Sequence, residues 1–251
     1  TGHYWGAQAF GLTPDSTTCA KALTAAFFPM SAIMFRQDFF DDLMQTSDAS
    51  GVLGHGFTYA GHPVGAAVAL EALKIYDDID LIGHVQRVSK PFLAECEALM
   101  DHPLVGDVRG IGLFCGIQLV QDKTTRALWD PALKVGTMVQ DRAHERGLYL
   151  RSIPPDRISF MPPLIINEDE IAEATAILKA ALDDVSAEAK DLVKTLMKPD
   201  AAKRPDARQA LQHPWFAEHL KDNNLVDGDK KSSVVNNGDG DNRVDDACVV
   251  S

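Results

Sequence analysis

The stretch Thr17 to Phe35, TTCAKALTAAFFPMSAIMF, carries a single charge, Lys21, in nineteen residues. That constrains the fold more than any other feature of the chain. Either the apolar groups around Lys21 are buried and the ammonium loses its hydration, or the lysine sits at an edge and reaches solvent along its own methylene stem. In the first case desolvation favours the neutral amine, which is then a nucleophile at neutral pH and suited to forming an imine. The residues alone favour the edge lysine; the activated lysine is the reading that the words around it, taken up below, bring forward.

Composition narrows the background. The chain of 251 residues is 45% hydrophobic and 24% charged, the balance of a globular protein with one or two domains. A formal charge of -12 argues against nucleic acid as a partner, because phosphate binding calls for a basic face. Cys19, Cys96, Cys115 and Cys248 form no C-x-x-C pair, so neither a disulfide framework nor a metal site is expected, and a reducing, cytoplasmic compartment is, with a mitochondrial one left open. No apolar run reaches the roughly 18 residues of a membrane span. The chain opens at Thr1 inside a motif and without Met or a signal peptide, which leads to the expectation of further sequence upstream.

Along the chain, residues 1–80 alternate short apolar runs with Gly and Pro, then enter a helix whose first turn takes Pro63. Helices are expected over 81–99, 131–146 and 168–182, the last capped by Asn167 with three acidic residues in its first turn. Between them, VRGIGLFCGIQLV (108–120) reads as a buried strand or hairpin with close backbone approaches at its glycines, and GLYLRSIPPDRISFMPPLII as an extended piece. Strands alternating with helices indicate an α/β class.

The words FGLTPDSTTCAKALTAAFFPMSA and, further on, HGFTYAGHPVGAAVALEAL resemble the class III pyridoxal-phosphate aminotransferases, nearest the omega-amino acid:pyruvate type. The resemblance covers residues 1 to about 185. It implies a fold-type I transferase: 1–80 from the large cofactor domain, 81–185 the small domain. It implies pyridoxal 5'-phosphate as cofactor, held by Lys21 as a Schiff base. Phe57 and Thr58 are cofactor contacts, Thr58 on the phosphate and from the neighbouring subunit, so a homodimer with shared active sites is expected. Arg151, ahead of the Pro162-Pro163 pair, would bind the carboxylate of the keto-acid acceptor, with Arg157 as a nearby competitor; a guanidinium fork suits that role. Ornithine- and GABA-type relatives carry this arginine at the position of Ser159, and the departure favours the omega type. Trp5, with Tyr4, would line the substrate pocket. Arg109 and His62 are read as structural. By resemblance the phosphate loop, the ring-stacking aromatic and the Asp paired with the pyridine nitrogen all belong upstream of TGHYW. Small-molecule amines or amino acids and keto acids are the implied substrates.

From Ser186 the character changes. SAEAKDLVKTLMKPDAAKRPDARQALQHPWFAEHL, residues 186–220, resembles the last two helices of a calmodulin-dependent-type protein kinase domain. No Gly-rich loop, V-A-I-K lysine, H-R-D or D-F-G accompanies it, so kinase chemistry is not expected. A docking appendage or a fusion scar is the reading. Residues 221–251 are rich in Asp, Asn, Gly and Ser and read as disordered; NNGDGDN lacks the ligand spacing of a calcium loop. Cys248-Val249-Val250-Ser251 fits a prenylation box, the one feature that would bring in a membrane, but its acidic flank gives weak support. The alternative to an enzyme is a non-catalytic interaction fragment with a kinase-like tail.

Overall fold

The computed structural model describes residues 1–51, 56–196 and 203–216. The disordered-tail, calcium-loop and prenylation expectations lie outside these residues, as do Gly54 and His55 of the HGFTYAGHP segment.

The core cluster runs from Val85 onwards. Helix α4 (Leu81–Ala98) buries Leu81, Val85, Val88, Phe92 and Cys96, successive positions three or four apart that make one apolar stripe. That stripe faces a four-stranded antiparallel sheet in the order β3 (Val105–Ile111), β4 (Phe114–Leu119), β6 (Arg157–Phe160), β5 (Arg151–Ile153). Along β4 the alternate residues Cys115, Ile117 and Leu119 are fully buried, the period of two that puts one face of a sheet on a core. Phe92 of α4 meets Phe160 of β6 edge-on, ring centroids 5.1 Å apart, an arrangement favoured by the ring quadrupoles. The β3–β4 hairpin turns at Gly112, whose φ of +61° suits a residue without Cβ. The thiols of Cys96 and Cys115 meet across α4 and β4, and this hydrogen bond together with burial pushes the Cys96 thiol far above its ordinary range.

Two further helices close the layer. The expected 131–146 helix is a single 3-10 turn (Pro131–Leu133), a left-handed Lys134 and then α5 (Val135–Glu145), so the helix proper begins later than the sequence suggested. Helix α6 runs from Glu168 to Leu196, well past Leu182, and the 185/186 boundary falls inside it. Its start follows the expected cap: Asn167 Oδ1 accepts from the Glu170 N–H at 2.9 Å while Glu170 Oε2 accepts from the Asn167 N–H at 2.9 Å.

The first part of the chain is thinner. Short helix α1 (Gly6–Ala9) leads to an antiparallel pair, β1 (Ser16–Cys19) and β2 (Ala32–Phe35), then to α2 (Gln37–Ser50) and α3 (Pro63–Asp78). Pro63 occupies the first turn of α3 as expected, and His62 caps it, Nδ1 accepting from the Gly65 N–H at 3.4 Å. Among the described residues no helix is long and apolar enough to cross a membrane.

Candidate active site

Lys21 lies just after β1, at the start of a 3-10 turn (Lys21–Leu23), in the left-handed region with φ of +54°. Ala25 and Ala26 share that region, at +49° and +65°. Three non-glycine residues held so within six positions cost on the order of 1–3 kcal/mol each, and such strain persists only where neighbours enforce it. The enforcement is visible. The Thr24 N–H donates to Lys21 O at 3.2 Å, and buried Thr24 Oγ1 donates to Phe28 O at 2.6 Å. From α3, Tyr76 Oη donates to Ala22 O at 2.8 Å. Gly65, also on α3, sits so close to Phe28 that a Cβ there would come within 2.8 Å of the ring. The lysine turn is thus pinned to one flank of α3, leaving a cleft of about 380 Å³ lined by Ala25, Phe27, Val68, Ala72, Ile75 and Tyr76, with Glu71.

The amine is not desolvated. Lys21 is exposed, as are Ala22, Ala25, Ala26 and Phe27 around it, so the expectation of an ammonium buried among apolar groups is corrected. The reason is that the left-handed turn lifts the segment onto the surface, and α3 covers only its far side. What remains is an accessible amine on a stiff, strained support.

Phe57 and Thr58 lie in a turn ahead of the same helix, closed by the Ala60 N–H donating to Phe57 O at 2.9 Å, and both side chains are exposed. Helix α3 therefore carries both elements, the lysine turn on its flank and the threonine turn beyond its N-terminus. Trp5 caps α1, its N–H donating to Gln8 Oε1 at 3.1 Å, and is half-buried; the neighbouring Tyr4 hydroxyl donates to Asp77 at the end of α3, a bond that raises the phenol above its ordinary value.

Arg151 is on the other sheet. It is the first residue of edge strand β5, exposed, and directly opposite Ser159 of β6. Side chains from these two positions are therefore cross-strand neighbours that share one face of the sheet. The strand is anchored right behind Arg151: the Ser152 N–H donates to Gln140 Oε1 of α5 at 2.7 Å. Further along the hairpin Asp156 Oδ1 accepts from the Gly136 N–H at 2.8 Å, at the start of α5, and Gln118 Nε2 donates to Pro155 O at 2.9 Å. Asp156 is 5% exposed, and that burial raises its carboxyl above the usual range. Arg157 opens β6 opposite Ile153, and Arg109 pairs at the surface with Asp107 at 2.7 Å. Among the described residues no hydrogen bond or ion pair joins Lys21, Thr58 and Arg151 to one another. Sequence reasoning missed Tyr76, Gln140 and Asp156. The segment was read as one extended piece, and nothing local showed that it folds back as the β5–β6 hairpin or which helix Asp156 would reach.

The chain thus presents a lysine on a strained turn between two paired strands, a threonine turn before α3 and an arginine on an edge strand. The aminotransferase class III profile matches residues 1–182. The chain belongs to the class III aminotransferases. It is 40% identical over 187 residues to the uncharacterized aminotransferase y4uB of Sinorhizobium fredii, covering 74% of this chain and 40% of that protein. It is 35% identical over 188 residues to a putrescine–pyruvate aminotransferase of Pseudomonas aeruginosa, again 74% of this chain and 40% of the relative. Over 181 residues it is 36% identical to gamma-aminobutyrate transaminase 1 of Oryza sativa, 72% of this chain and 35% of the relative. Among solved structures, a transaminase from an ancestral reconstruction superposes with a TM-score of 0.72 at 40% identity, covering 75% of this chain and 42% of the other. The omega transaminase of Pseudomonas jessenii in complex with PMP gives 0.68 at 38% identity, covering 73% and 40%. This aminotransferase chain has the α/β fold-type I architecture of those neighbours and spans well under half the length of the relatives cited. Class III aminotransferases use pyridoxal phosphate.

Proposed function

We propose that this class III chain takes part in transamination from an omega-amino acid or amine, of the beta-alanine or taurine kind, to a keto acid such as pyruvate. The observation that carries the reading is Lys21, an exposed amine on a rigid left-handed turn braced by α3, the helix whose N-terminal approach bears Thr58.

The donors fit an aldehyde-bearing phosphorylated cofactor: an accessible amine for the chain's own site and, for the partner's site, a hydroxyl with a helix N-terminus behind it. Pyridoxal phosphate, when bound, supplies the aldehyde that takes the amine and the ring that accepts the reacting carbon's electrons. Lys21 Nζ holds that group and, once displaced by the substrate amine, is left beside the substrate carbon as the base that moves its proton. Thr58 donates its hydroxyl to a phosphate oxygen. Arg151 binds the acceptor carboxylate through two parallel N–H donors, and its long side chain on an anchored strand can swing aside for amines that lack the group. Ser159, not arginine, opposite Arg151 supports the omega type over the GABA type. Two copies sharing their sites, with Thr58 completing the partner's centre, is the proposed assembly; exposed Phe27, Phe39 and Phe40 supply apolar surface for such packing.

The test is borohydride trapping of purified chain incubated with pyridoxal phosphate, followed by peptide mass mapping. One stoichiometric adduct is expected on Lys21, and Lys21→Ala removes it. Scattered labelling of surface lysines, or none, overturns the assignment and leaves the interaction-fragment reading in front. In the active assembly, Arg151→Ala is expected to raise KM for keto acids about 10-fold or more while sparing amines without a carboxylate, the effect of losing a charge-assisted bidentate contact.

A further inference from the structure

The family match ends at residue 182, yet the chain's packing does not. Helix α6 carries on to Leu196, and residues 203–216 fold back onto it. In this returning segment Asp206 and the short helix α7 (Ala207–Ala210) form a reciprocal cap: the Gln209 N–H donates to Asp206 Oδ1 at 2.8 Å and the Asp206 N–H to Gln209 Oε1 at 3.0 Å. A 3-10 turn follows at Pro214–Phe216. His213 ties that turn down in two directions. Its Nδ1 accepts the Trp215 N–H at 3.2 Å, and its Nε2 lies 3.1 Å from Asp191 Oδ2 on α6. The tautomer protonated at Nε2 satisfies both partners at once.

Trp215 is 3% exposed and belongs to the same apolar cluster as Phe92, Leu178 and Leu192. Its ring lies 5.8 Å from that of Trp129 at 48°. Leu133, Ala189 and Phe216 pack against the cluster. The seat shown by direct contact joins Trp129 to Asp191 and α6, and the rest of the cluster extends it. Trp129 and Leu133 come from the aminotransferase portion, and Ala189, Asp191 and Leu192 from the extension of α6.

We infer that the surface formed by the Trp129–Leu133 loop and the end of α6 is an intramolecular docking site whose occupant is residues 203–216, inserted through Trp215 and latched by His213 to Asp191. The kinase-like words are then a structural cap of the small domain. A buried indole removes some 150–250 Å² from water, enough to fix a segment this short that would not fold alone.

The test uses the full chain labelled with 5-fluorotryptophan, in which Trp5, Trp129 and Trp215 give three fluorine resonances. The conservative Trp215→Phe change is expected to delete one resonance and shift that of Trp129 while leaving that of Trp5 in place. Asp191→Ala is expected to shift the Trp215 resonance towards its position in urea. Trp215→Ala is expected to lower the thermal midpoint by on the order of 5 °C. A Trp215 resonance already at its unfolded position, or a Trp129 resonance indifferent to Trp215→Phe, overturns the docking.

Discussion

Residues 1–51 and residues 81–185 are built from similar side chains and bury them very differently. In the first stretch only Gly2 and Thr24 are buried, while Phe10, Leu12, Phe27, Ile33, Phe39 and Phe40 face outwards. In the second, Val85, Phe92, Val105, Ile117, Leu119, Val139, Ile158, Leu178 and Leu182 are enclosed almost completely. The difference shows that hydrophobic content does not make a core; geometry that brings apolar faces together does. Residues 81–185 hold a sheet and three helices with faces turned inwards. The lysine-bearing part has a two-stranded ribbon and helices that share few such faces, and its one firm support is α3. The enclosed core belongs to the second region, and the exposed Lys21 to the first.

Phe92→Ala puts the contrast to its hardest test. Its removal from a fully enclosed site is expected to cost about 3–5 kcal/mol in denaturant unfolding, whereas Phe27→Ala, at a residue 85% exposed, is expected to stay within about 0.5 kcal/mol. Equal costs would break the comparison.

Asp156 sharpens it from within the core. Its carboxyl is raised by burial, so the folded chain binds this proton more tightly than the unfolded one. The contribution to stability is fully present below the ordinary carboxylate value and is lost as pH rises through the raised folded one. Asp156→Asn keeps an oxygen to accept from Gly136 and removes the titration. Stability measured by urea unfolding from pH 4 to 7 is expected to fall less steeply in the variant; identical profiles would show that Asp156 does not titrate differently on folding. A smaller effect is expected at the helix start: Asn167→Ala removes one half of the α6 capping pair and should cost about 1 kcal/mol by the same measurement.

What the sequence disclosed follows the same division. The α4 stripe, the Asn167 cap, Pro63 in the first turn of α3 and the glycine-marked β3–β4 hairpin were legible because each is a local rule with a fixed period or position. Helix α2 was not. Its Phe39, Phe40, Leu43 and Met44 recur at helical spacing, yet Phe39, Phe40 and Met44 stay exposed, and the short apolar runs of residues 1–80 were not read as a helix there. The end of α6 was placed too early, at Leu182, whereas the Ala, Glu, Lys and Leu residues beyond are good helix formers and simply continue. The burial of Lys21 was misjudged for a tertiary reason. An apolar neighbourhood in sequence says nothing about which side of a turn α3 will cover. The pairing of Arg151 with Ser159 likewise emerges only once the register of the β5–β6 hairpin is known.

The length of α6 has a mechanical consequence. A helix of 29 residues is a rod of roughly 44 Å that advances about 100° with every residue. Contacts with α4 and α5 orient it, among them the ion pairs of Arg146 with Asp184 and Arg142 with Glu188, and its last turns present Asp191 and Leu192. The two ends are thus locked in rotational phase, like teeth cut on one shaft. Deleting a single residue between them would leave every side chain chemically intact and turn the far end through more than a quarter circle, away from Trp215.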